Sequence, residues 1–283
     1  MLGVGDDAAL LRPSAGMELA VSTDMLLEGR HFRAGADARK LGHKALAVNL
    51  SDLAAMGAAP RWATLALALP AADESWLEGF ARGFFALAER FGVELVGGDT
   101  TRGPCCICIA ILGEVPPGRA LLRSGARPGD DVWVSGDLGG AALGIAHPEN
   151  AAAARRLDEP EPRVGLGERL RGIASAAIDV SDGFAQDLGH VLERSGVGAV
   201  VEYARLPGFP GTDSAQVLGG GDDYELVFTA REERRAEIES LSRELALPLT
   251  RVGSIEQGKA TLRVLDRDRR PMPVARGFDH FSP

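Results

Sequence analysis

The run Lys44-Ala45-Leu46-Ala47-Val48-Asn49-Leu50-Ser51-Asp52-Leu53-Ala54-Ala55-Met56-Gly57 decides how this chain is to be read. Leu41, Ala45, Leu46, Val48, Leu53 and Met56 form an apolar stripe of helical period, which predicts a helix over Asp37–Met56 with Gly57 as its C-terminal stop. Strand-like runs flank it, Met17–Thr23 before and Arg61–Leu69 after. The alternation continues with a helix over Asp73–Arg90, a short strand at Val93–Val96 and a longer one at Ile107–Val115. Pro116–Gly129, rich in Pro, Gly and Arg, reads as a connection between two globular halves. Beyond it a strand is expected at Asp131–Ser135, with helices around Ala141–Ala146 and Val164–Ala174. The run Ala177–Asp182 then leads into a helix near Phe184–Glu193. Strands near Ala199–Tyr203 and Tyr224–Thr229, a charged helix at Glu232–Leu245 and two terminal strands complete an α/β pattern. Pro148–Arg163, rich in Ala, Glu and Pro, is expected to be a surface excursion.

Asp52 stands inside that helix among Leu, Ala and Met, where an aspartate has poor propensity and is costly to bury unpaired. It is either a solvated turn of helix or a carboxylate that bridges metal ions. Five further clusters place aspartates at predicted element ends, most beside glycine: Gly5-Asp6-Asp7, Ser22-Thr23-Asp24, Gly97-Gly98-Asp99-Thr100-Thr101, Asp179-Val180-Ser181-Asp182-Gly183 and Gly220-Gly221-Asp222-Asp223-Tyr224-Glu225. Any one of them is equally a turn or a helix cap. Carboxylates gathered by folding repel one another unless cations intervene, and magnesium prefers such hard oxygen ligands together with substrate phosphates. The glycines let backbone N–H groups approach phosphate oxygens.

At 283 residues the chain has room for one large domain or two ordinary ones. A net charge of −9 argues against general nucleic-acid binding, and an acidic chain that handles phosphates needs metal ions between the two. The apolar runs Ala63–Pro70 and Ile107–Leu112 are strand-length and far short of the roughly 20 residues of a membrane span. No secretory signal is visible, so a soluble cytoplasmic protein is expected. Cys105, Cys106 and Cys108 are too crowded to staple a fold and have no companions for a zinc site, so they read as reduced thiols in or beside a strand. Neither a Walker phosphate loop nor the protein-kinase signature occurs.

From Gly3 to Phe281 the motifs resemble, in order, those of the thiamine-monophosphate kinase family. They are Gly3-Val4-Gly5-Asp6-Asp7, Ser22-Thr23-Asp24 with Glu28-Gly29-Arg30-His31-Phe32, Lys44–Asp52, Gly97–Gly103, Arg123-Ser124-Gly125-Ala126, Asp179–Gly183 and Gly277-Phe278-Asp279-His280-Phe281. The superfamily also holds aminoimidazole ribonucleotide synthetase, selenophosphate synthetase and a hydrogenase maturation protein. The resemblance implies a two-domain aminoimidazole ribonucleotide synthetase-like fold of α/β (α+β) type, with domains at residues 1–118 and 119–283. Its N-terminal sheet would form the interface of a homodimer, and ATP would lie between acidic loops of both domains.

The implied reaction is direct in-line transfer of the γ-phosphate of ATP to thiamine monophosphate, with several Mg2+ ions and no phosphoenzyme. Asp7, Ser22, Thr23, Asp24, Asp52, Asp99, Asp179 and Asp182 resemble the magnesium ligands, Asp24, Asp52 and Asp99 being the catalytic set. Gly98, Asp99, Arg123 and Ser181 correspond to nucleotide contacts, and His31, Asp222 and Phe278 to substrate contacts. The sequence departs from the family in opening almost at the Gly-Asp-Asp motif, in Asp222 where glutamate is usual, and in Leu138-Gly139-Gly140, which has glycine where a serine is common. Two other readings stay open: a different ATP-using member of the superfamily, and a nucleotide- or thiamine-phosphate-binding protein without catalysis.

Overall fold

Side-chain alternation along Cys106–Val115 organises the first half of the molecule. Ile107, Ile109 and Ile111 are buried, whereas Cys106, Cys108 and Ala110 between them are half-exposed. The computed structural model describes residues 3, 5–274, 277 and 278. The chain clusters into two units, Met1–Leu53 with Ala58–Ala120, and Ala54–Gly57 with Leu121–Pro283.

The first unit contains β1 (Glu18–Leu27), α1 (Ala38–Ala55), β2 (Ala59–Leu69), α2 (Glu74–Phe91), β3 (Glu94–Arg102) and β4 (Cys106–Val115). Its sheet runs β1-β4-β2-β3, with β2 and β3 parallel across the α2 crossover and the other pairs antiparallel. α2 starts where the Asp73 side chain accepts the N–H groups of Ser75 and Trp76, and ends at Gly92 in the left-handed conformation. The opposite sheet face is less covered. Leu19, Val21, Met25 and Leu27 of β1 are 43%, 62%, 53% and 40% exposed, an apolar stripe of the kind that marks an interaction surface.

β1 and β3 outrun their expected lengths, so Asp24 and Asp99 lie within strands and not at element ends. Both acids sit at positions whose backbone is paired by neighbouring strands, and that pairing outweighs the weak strand propensity of aspartate. Cys106 and Cys108 belong to β4, and all three cysteines are free thiols.

The second unit contains β5 (Asp131–Ser135), α3 (Gly140–Ala146), α4 (Ala151–Asp158), α5 (Val164–Leu170), β6 (Ala176–Asp179) and α6 (Phe184–Ser195). It continues with β7 (Gly198–Glu202), α7 (Ser214–Gly219), β8 (Leu226–Ala230), α8 (Arg235–Glu244), β9 (Leu249–Glu256) and β10 (Leu262–Leu265). The sheet order is β10-β7-β9-β5-β8-β6, antiparallel except for β10 with β7. Val132, Val134, Ile178, Phe184, Leu188 and Val227 lie in its core.

The expected surface excursion over Pro148–Arg163 is overturned. It contains α4, and Arg156 and Arg163 reach the buried Glu225 at 2.8 Å and 2.5 Å. Among the described residues no helix is long and apolar enough to cross a membrane.

Candidate active site

In the first unit the helix and the edge strand meet through polar side chains. Ser22 Oγ donates to Asp52 Oδ2, and the backbone N–H of Asp24 is accepted by Asn49 Oδ1 at 3.2 Å. Asn49 is held by its own amide donating to the Ala45 carbonyl at 2.9 Å. Asn49 and Asp52 lie one turn apart on α1 and so share a face. Ser22 and Asp24, two apart on β1, also share a face. The strand and helix periods therefore bring Ser22, Asp24 and Asp52 together. Asp52 is half-buried against β1, which departs from a freely solvated turn of helix.

Asp99 does not join them within one chain. Asp24 aligns with Ile109, Ile109 with Leu65, and Leu65 with Gly98, whereas Asp99 aligns with Ala66, Cys108 and Met25. Asp99 thus belongs to the opposite sheet face, three strands from Asp24, or about 14 Å at the usual strand spacing. Thr23, between Ser22 and Asp24, alternates onto that same exposed face. Gly98 has a packing reason to be glycine: a Cβ there would lie 1.9 Å from the Leu65 carbonyl oxygen of β2. Its close approach is to the neighbouring strand.

Asp7 is exposed, its N–H bonded to Asp6 Oδ1 at 3.0 Å. His31 closes the turn after β1, where its Nδ1 accepts the Leu27 N–H at 3.0 Å. In the neutral ring this leaves the proton on Nε2, which makes that nitrogen a donor. Beside this turn is a cavity of about 270 Å³, lined among others by Glu28, Phe32, Arg33, Pro70 and Trp76.

In the second unit the sequence clusters converge. The N–H of Val180 donates to the Glu225 carbonyl, that of Tyr224 to the Val180 carbonyl, and that of Asp222 to the Ser181 carbonyl, each at 2.8 Å. The Phe278 N–H donates to the Asp182 carbonyl at 2.9 Å. Ser181, Asp182, Asp222 and Phe278 are thereby drawn into one group. Gly221 permits the closeness, since a Cβ there would lie 2.5 Å from the Ser181 carbonyl oxygen. Asp222 and Tyr224 adopt positive φ, 63° and 50°, a strained choice for residues other than glycine. Tyr224 Oη donates to Asp222 Oδ1 at 2.9 Å. Arg123 is exposed on a loop whose carbonyl accepts from Ser195 Oγ at 3.2 Å. Val4 and Asp279-His280-Phe281 of the quoted motifs lie outside the described residues.

Buried carboxylates support these loops: Asp223 and Glu225, which the fifth aspartate cluster contains, and Asp187, which lies in none of the clusters. Glu225 accepts from Ser135 Oγ at 2.6 Å and pairs with Arg156 and Arg163. Asp223 accepts the Gly139 and Ala141 N–H groups, and burial, outweighing those bonds, pushes its carboxyl up to about 7. Asp187 accepts the N–H groups of Ser181, Asp182 and Gly183. Burial, reinforced by the charges of Asp179 and Asp182, pushes it up to about 7 as well. Asn49 had a visible signal in its spacing from Asp52. Asp187 had only a place in the first turn of α6.

Among the described residues no three His, Cys, Asp or Glu side chains converge as a metal-holding group. Ser22 and Asp52, in contact in the first unit, fit magnesium held by one or two acids, with phosphate oxygens and water completing the shell.

Residues 5–115 match the family model for the AIR synthase related protein N-terminal domain, and residues 127–264 that for the C-terminal domain. The chain is 45% identical over 301 residues to the thiamine-monophosphate kinase of Salmonella typhimurium, covering 99% of this chain and 92% of that protein. The crystal structure of thiamine-monophosphate kinase from Stenotrophomonas maltophilia superposes with a TM-score of 0.89 at 47% identity, covering 96% of this chain and 92% of that one. AaThiL complexed with AMPPCP and TMP superposes with a TM-score of 0.83 at 31% identity, covering 95% and 89%.

Proposed function

As the chain belongs to the thiamine-monophosphate kinase family of AIR synthase related proteins, we propose that it transfers the γ-phosphate of ATP to thiamine monophosphate, forming thiamine diphosphate. A single observation carries the proposal. The relationship spans the whole chain, and it includes a structure that holds both an ATP analogue and TMP. An acceptor phosphate oxygen attacks the γ-phosphorus in line, ADP leaves, and no phosphoenzyme forms. Such chemistry depends on alignment and charge neutralisation more than on a protein base.

Ser22, Asp24 and Asp52 are the catalytic magnesium-holding set of the first unit, Asp7 adding a further ligand. Asp179 and Asp182 hold magnesium in the second unit. Magnesium held by these residues would supply the positive charge that offsets repulsion between the phosphates. Arg123, Gly98 and Ser181 contact the nucleotide. His31, its Nε2 a donor, suits the acceptor phosphate; Asp222, oriented by Tyr224, and Phe278 suit the thiamine rings. We place the activity in the cytoplasm.

The working form is a homodimer. A second copy laid on the stripe of Leu19, Val21, Met25 and Leu27 covers apolar surface that one chain leaves open. Asp99 and Thr23 lie on that same face, and because β1 is the edge strand of its sheet, we propose that Asp99 of the partner subunit reaches Asp24 and Asp52 around that edge.

A coupled assay tests the reaction, with thiamine monophosphate, an aminoimidazole precursor or selenide offered beside ATP and Mg2+. ADP and thiamine diphosphate are expected in equal amounts with the first acceptor alone. Tight binding by calorimetry with no thiamine diphosphate formed would favour a non-catalytic binding protein.

A further inference from the structure

We infer that Asp187 is the positioning residue for the Asp179–Gly183 loop, setting the direction in which Ser181 and Asp182 present their side chains. Asp187 lies in the first turn of α6 and is 2% exposed. A single oxygen, Oδ2, accepts the N–H groups of three consecutive residues, Ser181, Asp182 and Gly183, each at 3.0 Å. Three successive amides aimed at one point curl the backbone around it and turn the intervening side chains outward. Gln186 Nε2 donates to Asp182 Oδ2 at 3.2 Å and steadies that side chain beside Asp187, whereas the loop's remaining backbone bonds do something different. Those from Tyr224, Asp222 and Phe278 engage the carbonyls of Val180, Ser181 and Asp182, and fix where the loop lies.

Stability alone is a poor reason for the residue. A carboxylate only 2% exposed bears a desolvation cost that an apolar side chain would not. Helix α6 already has an apolar face, with Phe184, Leu188, Val191 and Leu192 buried, and needs no acid for packing. The arrangement trades local stability for a defined loop conformation, as expected where a site is organised before its ligand arrives.

The inference rests on the reading that this loop serves the magnesium nucleotide, and its test separates the two. Asp187→Asn keeps an oxygen where the amides converge but removes the charge. Asp187→Glu keeps the charge but moves the oxygen by one methylene. In the full-length protein, with folding checked by thermal melting, Asp187→Asn is expected to hold the KM for MgATP within about threefold of wild type. Asp187→Glu is expected to raise that KM about tenfold while the KM for thiamine monophosphate stays within about twofold. Asp187→Ala replaces the glutamate variant if the longer side chain does not fold. Equal effects of the two variants, or glutamate outperforming asparagine, would overturn the positioning role. If Asp182→Asn leaves the KM for MgATP unchanged, the nucleotide reading of the loop falls, whatever Asp187 does.

Discussion

Asp52 tests the account at the scale of a single side chain. It accepts from Ser22 and stands one helical turn from Asn49, which holds Asp24. Asp52→Asn is therefore expected to leave the melting temperature near wild type and nearly abolish magnesium-dependent turnover. Activity retained within about threefold would contradict its role. The need for this acid was legible in the sequence, because an aspartate among Leu, Ala and Met on a helix asks for a reason. Asn49 stands in the same run, but a buried asparagine reveals its purpose only when its acceptor finds a donor, here the Asp24 N–H. Asp223 makes a different prediction. Its carboxyl titrates near 7 when folded against 3.8 unfolded. Between those values the folded chain keeps a proton that the unfolded chain has released, so stability falls as pH rises from about 4 to about 7. Asp223→Asn keeps an acceptor for Gly139 and has no charge to bury. Its melting temperature should match wild type at pH 4 and exceed it at pH 8; a lower value at pH 8 would refute the assignment.

Among the elements, those with strong local signals agree with the sequence reading. α1 follows its apolar stripe, α2 its Asp73 cap and Gly92 stop, and β5 its unbroken buried run. Elements held by distant partners were not legible. α4 sits in a segment of alanines between prolines, and what ties it in is Arg156 reaching Glu225, 69 residues away. No window of neighbouring residues contains that pair. β3 likewise continues through Gly97–Arg102 because β2 pairs with it along its length. The buried Glu225 joins β5, α4 and the turn before α5, so Glu225→Ala is expected to cost about 3–5 kcal/mol in urea unfolding, by leaving two arginines without their shared acid. Arg156→Met should cost clearly less, because Arg163 keeps Glu225 paired on two bonds. Equal losses would mean that the network is not centred on the acid.

For the molecule as a whole, the sequence clusters suggest one set of acids, whereas within one chain Asp99 stands apart from Asp24 and Asp52. Strand order and register determine this, and both depend on pairings across the fold: Asp24 and Asp99 belong to opposite faces of one sheet, three strands apart. Asp99 shares its face with an exposed apolar stripe, so the account requires two copies in each working site. Val21→Asp should yield a folded monomer by light scattering and lose turnover; an active monomer would remove the need for a partner. The most direct measurement mixes two inactive proteins, Asp52→Asn and Asp99→Asn, refolds or exchanges their subunits, and follows thiamine diphosphate formation from ATP and thiamine monophosphate. If each site takes Asp52 from one subunit and Asp99 from the other, half of the dimers carry one intact site, and activity returns to about a quarter of wild type. If the mixture stays as inactive as its components, the two acids act within one chain and the account is wrong.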